Sequence, residues 1–232
     1  MLILGIDTCC MPAVSAIYDG EKIIAEAVLF SGKTHSQRIM PQIKGLFDEL
    51  GISPADIDCF AVAAGPGSFT GVRIGTAAVK AMAHAAGKPC AAVSTLEALA
   101  FNVSCFDGII CPILDARRDQ VYTALFRGGK ALTRLRGDGA APLSELLDEL
   151  AGQKVLFAGD GVLVYRSEIA ARMGDCAYFP PANNLLNSGG AVAVLGYEKF
   201  MAGETVSYSA LVPNYIRLSQ AERERIEREN KK

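Results

Sequence analysis

The chain has 232 residues, half of them hydrophobic and about a fifth charged, which excludes a largely disordered polypeptide and leaves room for one large domain or two lobes. No apolar run is long enough to span a bilayer, and the opening MLILGIDTCCMP lacks the basic start of a signal peptide, so a cytoplasmic protein without membrane association is expected. A net charge of −2 argues against a protein that grips nucleic acid by itself. The seven cysteines are odd in number and form no C-x-x-C, and the two histidines, His35 and His84, lie far apart. Small buried thiols are therefore expected rather than a disulfide framework or a zinc site.

Taken in order, Leu2–Thr8 reads as a buried strand, followed by Ala13–Tyr18, the turn pair Asp19-Gly20 and a returning strand Ile23–Phe30. A helix from His35 to Leu50 is closed by Gly51 and kinked by Pro41. Ile57–Ala64 is a strand and Gly71–Ala86 a helix stopped by Gly87. A short helix, Ser94–Phe101, joins the halves. The second half repeats the order, with strands at Ile109–Leu114, Val121–Phe126 and Ala131–Leu135 around the Gly128-Gly129 turn. The helix Leu143–Leu150, the strand Val155–Ala158 and the helix Val162–Met173 follow. A last helix, Ser188 to Met201, has Ser188 as its cap, and Gln220–Lys232 reads as an exposed helix of mixed charge. Two tandem β-β-β-α-β-α units resemble the actin-like ATPase (ribonuclease H-like) fold, an α/β architecture with a cleft between lobes. The lobes are expected at residues 1–106 and 107–232, with the helix near 188–203 packing back on the first.

The segment Ala63–Gly75, AAGPGSFTGVRIG, is a strand end, a Gly-Pro-Gly turn and a capped helix. Gly65 and Gly67 give the turn its freedom, Pro66 fixes it, and Ser68 or Thr70 caps the helix. Both a structural turn and an anion site at the helix start fit these residues. A P-loop does not, because its spacing and lysine are missing.

Together with the strand-DT opening, HSQRIMPQI (His35–Ile43), LDARRDQVY (Leu114–Tyr122) and PNYIR (Pro213–Arg217), this block resembles the TsaB (YeaZ) family over nearly the whole chain, leaving the tail from Leu218 unassigned. The resemblance implies a non-catalytic scaffold subunit in the transfer of a threonylcarbamoyl group to adenosine in tRNA. Such a subunit works beside TsaD, a larger paralogue that performs the transfer. TsaD proteins bind their metal through two histidines, whereas the comparable stretch Ala92–Phe101 has none, so neither catalytic residues nor a metal is expected here. The partners the resemblance implies are a TsaD-type paralogue and a TsaE-type ATPase, with a second copy of the chain as a further candidate and tRNA met only through the complex.

Asp7, Thr8, Asp115 and Arg117 occupy the strand ends where an actin-like ATPase would place its nucleotide groups. The loops DTCC and DARRDQ lack glycine, so no cofactor is expected to be required and ATP or ADP binding should be weak. Helix Gly71–Ala86 carries one apolar face with Val72, Gly75, Val79 and Met82, and another with Ile74, Ala78, Ala81 and Ala85. Arg73, Lys80 and His84 form a polar stripe. Either the helix is internal or it meets a partner. Given the resemblance, the partner interface is expected at His35, Ile39, Met40, Gly71, Ile74, Gly75, Ala78 and Met82. The alternatives are an independent ATPase or kinase and a glycoprotease-type peptidase. The latter is disfavoured because Ser68 has no G-x-S-x-G elbow and no neighbouring base.

Overall fold

A computed structural model describes residues 1–30 and 32–217, so the expected helix at Gln220–Lys232 lies outside the described residues. The first sheet holds β1 (Ile3–Asp7), β2 (Ala13–Tyr18), β3 (Ile23–Leu29), β4 (Cys59–Ala63) and β5 (Cys90–Val93), in the order β3-β2-β1-β4-β5. Strands β1, β2 and β3 run antiparallel, while β4 and β5 join parallel to β1. The second sheet holds β6 (Ile109–Asp115), β7 (Gln120–Arg127), β8 (Thr133–Pro142), β9 (Val155–Ala158) and β10 (Ala177–Tyr178), in the order β10-β9-β6-β7-β8. It repeats the first sheet strand for strand, with the same pattern of parallel and antiparallel neighbours.

The helices are α1 (His35–Leu50), α2 (Phe69–Ala86), α3 (Thr95–Phe101), α4 (Leu143–Glu149), α5 (Gly161–Met173), α6 (Ala182–Leu185) and α7 (Gly189–Met201). Their ends follow local chemistry. Gly51 and Gly87 take the left-handed conformation that ends α1 and α2, and α1 runs unbroken through Pro41. The hydroxyls of Ser68, Ser94 and Ser188 accept backbone N–H bonds at the starts of α2, α3 and α7.

Alternation along β1 sorts the core. Leu4 and Ile6 face α1 and α2, where they meet Ile39, Ile43, Phe47, Val79 and Met82. Ile3, with Cys59, Ala61 and Val93, faces the other way onto Ala191, Val192 and Leu195 of α7. That helix lies so close to the sheet that a Cβ on Gly5 would meet the backbone of Ala193, and one on Gly196 would meet Ala61. The unit built on the first sheet thus takes chain from both ends of the sequence. Between the sheets sits α3, its Leu96, Leu99 and Ala100 packed with Cys10, Ile110, Leu114, Phe126 and Leu156. A polar latch flanks this seam. Ser94 donates to Asp138 at 2.6 Å, and Arg134 bridges Asp138 and Glu97 at 2.6 and 3.1 Å.

Four elements depart from the sequence reading. Strand β8 extends to Pro142 instead of stopping at Leu135, because β7 supplies partners as far as Gln120–Pro142 despite the glycines at 137 and 139. Strands β5 and β10 complete the sheets but carry too few residues, CAAV and AY, for a period to show. Helix α6 spans a single turn.

Candidate functional site

The Gly-Pro-Gly segment leaves β4 and turns sharply into α2, and its glycines are required by close approach of other backbone. Gly65 has φ +114, and a Cβ there would sit 2.5 Å from the carbonyl oxygen of Asn214; at Gly67 it would sit 2.7 Å from Cys9. Backbone bonds hold the segment on every side: Ser68 N–H donates to Cys9 O at 2.9 Å, Thr95 N–H to Gly65 O at 3.0 Å, and Asn214 N–H to Ala64 O at 2.7 Å. Gly71 and Gly75 continue the pattern. A Cβ on Gly71 would collide with the Thr8 carbonyl, and one on Gly75 would lie 2.6 Å from Thr8 Oγ1. Thr8 is itself buried and donates to Gly71 O at 2.6 Å, which pins the loop after β1 against the first turns of α2.

Between the lobes this packing leaves a cleft of roughly 600 Å³. Its walls come from the β1–β2 loop (Cys9, Cys10), the start of α1 (His35), the start of α2 (Ser68, Thr70), the β6–β7 turn (Asp115, Arg117) and Asp160, with Tyr215 and Arg217 closing one side. The β6–β7 turn is strained: Arg117, Arg118 and Asp119 all have positive φ, at 61°, 57° and 57°, without a glycine among them.

Of the residues expected in a nucleotide cleft, Asp115 and Arg117 line it, whereas Asp7 and Thr8 do not. Both are inside the protein, and Asp7 is covered completely. Its Oδ1 accepts from Cys9 N–H at 2.6 Å and its Oδ2 has no hydrogen-bond partner. Burial pushes its pKa up to about 6, partly offset by the Cys9 N–H. Asp160 is raised to about 6 as well, chiefly by burial. Its Oδ1 accepts from Asp115 N–H at 3.2 Å, and Asp115 accepts from the Tyr165 hydroxyl at 3.1 Å. Burial and the Asp7 charge drive the Cys9 and Cys10 thiols well above the usual range, so neither is a ready nucleophile. Ser68 is spent as the α2 cap, and His35 Nε2 lies 3.1 Å from Cys10 O, tying α1 to the β1–β2 loop.

Asp160 and Tyr165 escaped the sequence reading, and Tyr215 and Arg217, though part of the PNYIR segment, were given no place in the site. One signal was available. Gly159-Asp160-Gly161 stands between β9 and α5 as the Gly-Pro-Gly segment stands between β4 and α2, and Gly159 likewise has positive φ, at 101°, against the Ile113 carbonyl.

The expected partner face divides in two. Ile39, Gly71, Gly75 and Met82 are buried in the protein's own core and offer nothing to a partner, because the loop at Thr8 and the sheet occupy that side of α2. His35 faces the cleft instead. Met40 is exposed, Ile74 and Ala78 are half-buried, and Ala77, Ala81 and Ala85 extend the same outer surface of α2. The supposed polar stripe is occupied. Arg73 Nε donates to the Tyr215 hydroxyl at 2.9 Å, Lys80 Nζ to Leu211 O at 3.0 Å, and His84 stacks on Tyr208 with ring centres 4.2 Å apart.

Comparison with known proteins agrees with this geometry. The model of the TsaD family, tRNA N6-adenosine threonylcarbamoyltransferase, matches residues 29–225. The chain is 37% identical over 230 residues to the tRNA threonylcarbamoyladenosine biosynthesis protein TsaB of Bacillus subtilis (strain 168), covering 98% of this chain and 99% of that one. It is 33% identical over 170 residues to the tRNA N6-adenosine threonylcarbamoyltransferase of Sphingopyxis alaskensis, a match that spans 66% of this chain and 47% of that protein. YeaZ from Pseudomonas aeruginosa superimposes with a TM-score of 0.79 at 25% identity, covering 92% of this chain and 99% of that one. The activator of 2-hydroxyisocaproyl-CoA dehydratase from Clostridium difficile shares the actin-like architecture alone, with a TM-score of 0.53 at 13% identity over 88% of this chain and 97% of that one. With two duplicated mixed sheets, a glycine-packed turn into α2 and end-to-end similarity to TsaB, the chain belongs to the TsaB (YeaZ) family of tRNA threonylcarbamoyladenosine biosynthesis.

Proposed function

We propose that this chain is a non-catalytic subunit of the assembly that transfers a threonylcarbamoyl group to adenosine in tRNA, and that it acts by binding and supporting a TsaD-type paralogue. The similarity to Bacillus subtilis TsaB over both full lengths carries this reading. The outer surface of α2 supports it: Ala77, Ala81 and Ala85 are exposed beside half-buried Ile74 and Ala78, and such small side chains let another helix approach closely. A partner of the same family presents a related helix, so like can pack on like, and a second copy of this chain would compete for the same surface. The cleft supports the non-catalytic part of the reading, since Asp7 is sealed inside and the hydroxyl of Ser68 caps a helix. In this role the chain requires no cofactor, binds ATP or ADP weakly at most, and meets a TsaE-type ATPase and tRNA only within the cytoplasmic complex.

Depletion of the protein followed by mass spectrometry of tRNA nucleosides tests the proposal. Threonylcarbamoyladenosine should disappear and return when the chain is supplied again. Unchanged modification in cells with a single copy of the gene would refute it, and substrate turnover by the pure chain would refute its non-catalytic part.

A further inference from the structure

After α7 the chain turns back along α2. Val206 exchanges backbone hydrogen bonds with Cys90, both at 2.8 Å, and Tyr208 stacks on His84. Leu211 is buried in the core of the first lobe, with its carbonyl held by Lys80. Asn214 N–H donates to Ala64 O, and Tyr215 packs on Phe69 with ring centres 4.7 Å apart while it accepts from Arg73. All of these anchors belong to the first lobe. The next link crosses the cleft, where the Arg217 guanidinium donates to the Ala116 carbonyl of the second lobe at 3.1 Å.

We propose that residues 206–217 form a strap that closes the inter-lobe cleft, zippered firmly to the first lobe and releasable from the second at the Arg217–Ala116 bond. The asymmetry of the anchors carries the argument. On the first lobe the strap has a buried leucine, a backbone bridge, two ring contacts and bonds to three side-chain or backbone donors and acceptors along α2 and β4. On the second lobe, among the described residues, its hydrogen bond is that of Arg217. The acceptor opens a turn in which three successive non-glycine residues are left-handed, a conformation that persists only while its surroundings hold it. Other holds on the turn are short-range, such as Arg117 N–H to Asp115 Oδ1 at 2.8 Å, or come from its far end, where Leu143 N–H donates to Asp119 O at 3.0 Å. Asn214, Tyr215, Ile216 and Arg217 also form part of the cleft wall, so release at Arg217 both widens the mouth and lets the turn relax.

Trypsin reads the turn directly, because Arg117 and Arg118 are cleavage sites within it. In the full-length protein Arg217→Ala should speed cleavage at these two sites by ~tenfold, the population shift expected when a hydrogen bond from a charged donor is lost. Arg217→Met, which keeps the apolar stem and removes the donor, should do the same. Cleavage at Lys130, in the β7–β8 turn, should not change. The proposal is overturned if Arg217→Ala leaves the rate at Arg117 and Arg118 unaltered, if Lys130 accelerates equally, or if the methionine variant behaves as wild type.

Discussion

Substituting Gly75 by alanine separates packing within the chain from packing against a partner. The added Cβ would lie 2.6 Å from Thr8 Oγ1 and 3.4 Å from Val62 Cγ2, in a region with no route to solvent. The hydroxyl oxygen must move, and moving it breaks the 2.6 Å bond to Gly71 O. A buried hydroxyl left without its partner costs about 1–3 kcal/mol. Forcing a methyl group into a filled core costs about 1–3 kcal/mol more. Against this, alanine is about 1 kcal/mol better than glycine inside a helix. The net loss is about 1–5 kcal/mol, which in a chain of this size lowers the melting temperature by about 2–20 °C. Thermal melts of four proteins test the reasoning: wild type, Gly75→Ala, Thr8→Ala and the double variant. Thr8→Ala removes the obstructing oxygen, so the double variant should melt above Gly75→Ala alone. The reasoning fails if Gly75→Ala melts within about 2 °C of wild type. It fails equally if the Thr8 substitution merely adds its own loss. An isolated protein of normal stability that had lost its paralogue would place Gly75 on the partner side after all.

Three further outcomes follow from the same geometry. Ala81→Arg, on the exposed face of α2, should leave the lone protein's melt unchanged and weaken pull-down of a TsaD-type paralogue by more than ~tenfold, since an unpaired charge at an interface centre costs about 2 kcal/mol or more; a lowered melt or an unaltered pull-down contradicts the proposed surface. Burial raises the folded pKa of Asp7 from 3.8 to about 6, so the folded state holds that proton more tightly than the unfolded one. The group therefore does no harm below pH ~4 and weakens the fold by about 3 kcal/mol once pH has risen past ~6. Asp7→Asn keeps an acceptor for the Cys9 N–H, so its melting temperature should match wild type near pH 4 and exceed it at pH 7.5; parallel pH profiles would refute this. Asp138→Ala should destabilise the chain by about 1–3 kcal/mol in urea unfolding, because Ser94 loses its acceptor and Arg134 keeps only Glu97 at the lobe seam; an unchanged midpoint would show that the latch contributes nothing.

The duplicated order of elements was legible because its signals are local. The Asp19-Gly20 turn, the glycines at 51 and 87 and the serine caps of α2, α3 and α7 all act within a few residues of themselves. What the sequence concealed is what lies far away along the chain. Gly71 and Gly75 announce close approach, yet the approaching group is Thr8, 63 residues earlier, rather than a partner helix. Arg73, Lys80 and His84 have the spacing of a solvated stripe, and nothing near them reveals that Tyr215, Leu211 and Tyr208 lie along it. Asp7 was placed correctly at a strand end, but its burial depends on the loop Cys9–Pro12 folding over it and on Asn187, whose amide donates to Pro12 O at 3.4 Å. Strand β8 shows the same limit, since its charged and glycine-rich residues become a strand only beside β7.

The position of α7 governs how the protein can be made. One face of the first sheet, with Ile3, Cys59, Ala61 and Val93, is covered by residues 189–201, which the ribosome synthesises after the whole second sheet. Until then the nascent first half exposes an apolar sheet face, a feature that makes incomplete chains aggregate. A fragment ending at Phe101 carries every strand of its sheet and still lacks the helix that covers one of its faces. Folding of the first lobe is in this sense closed by α7.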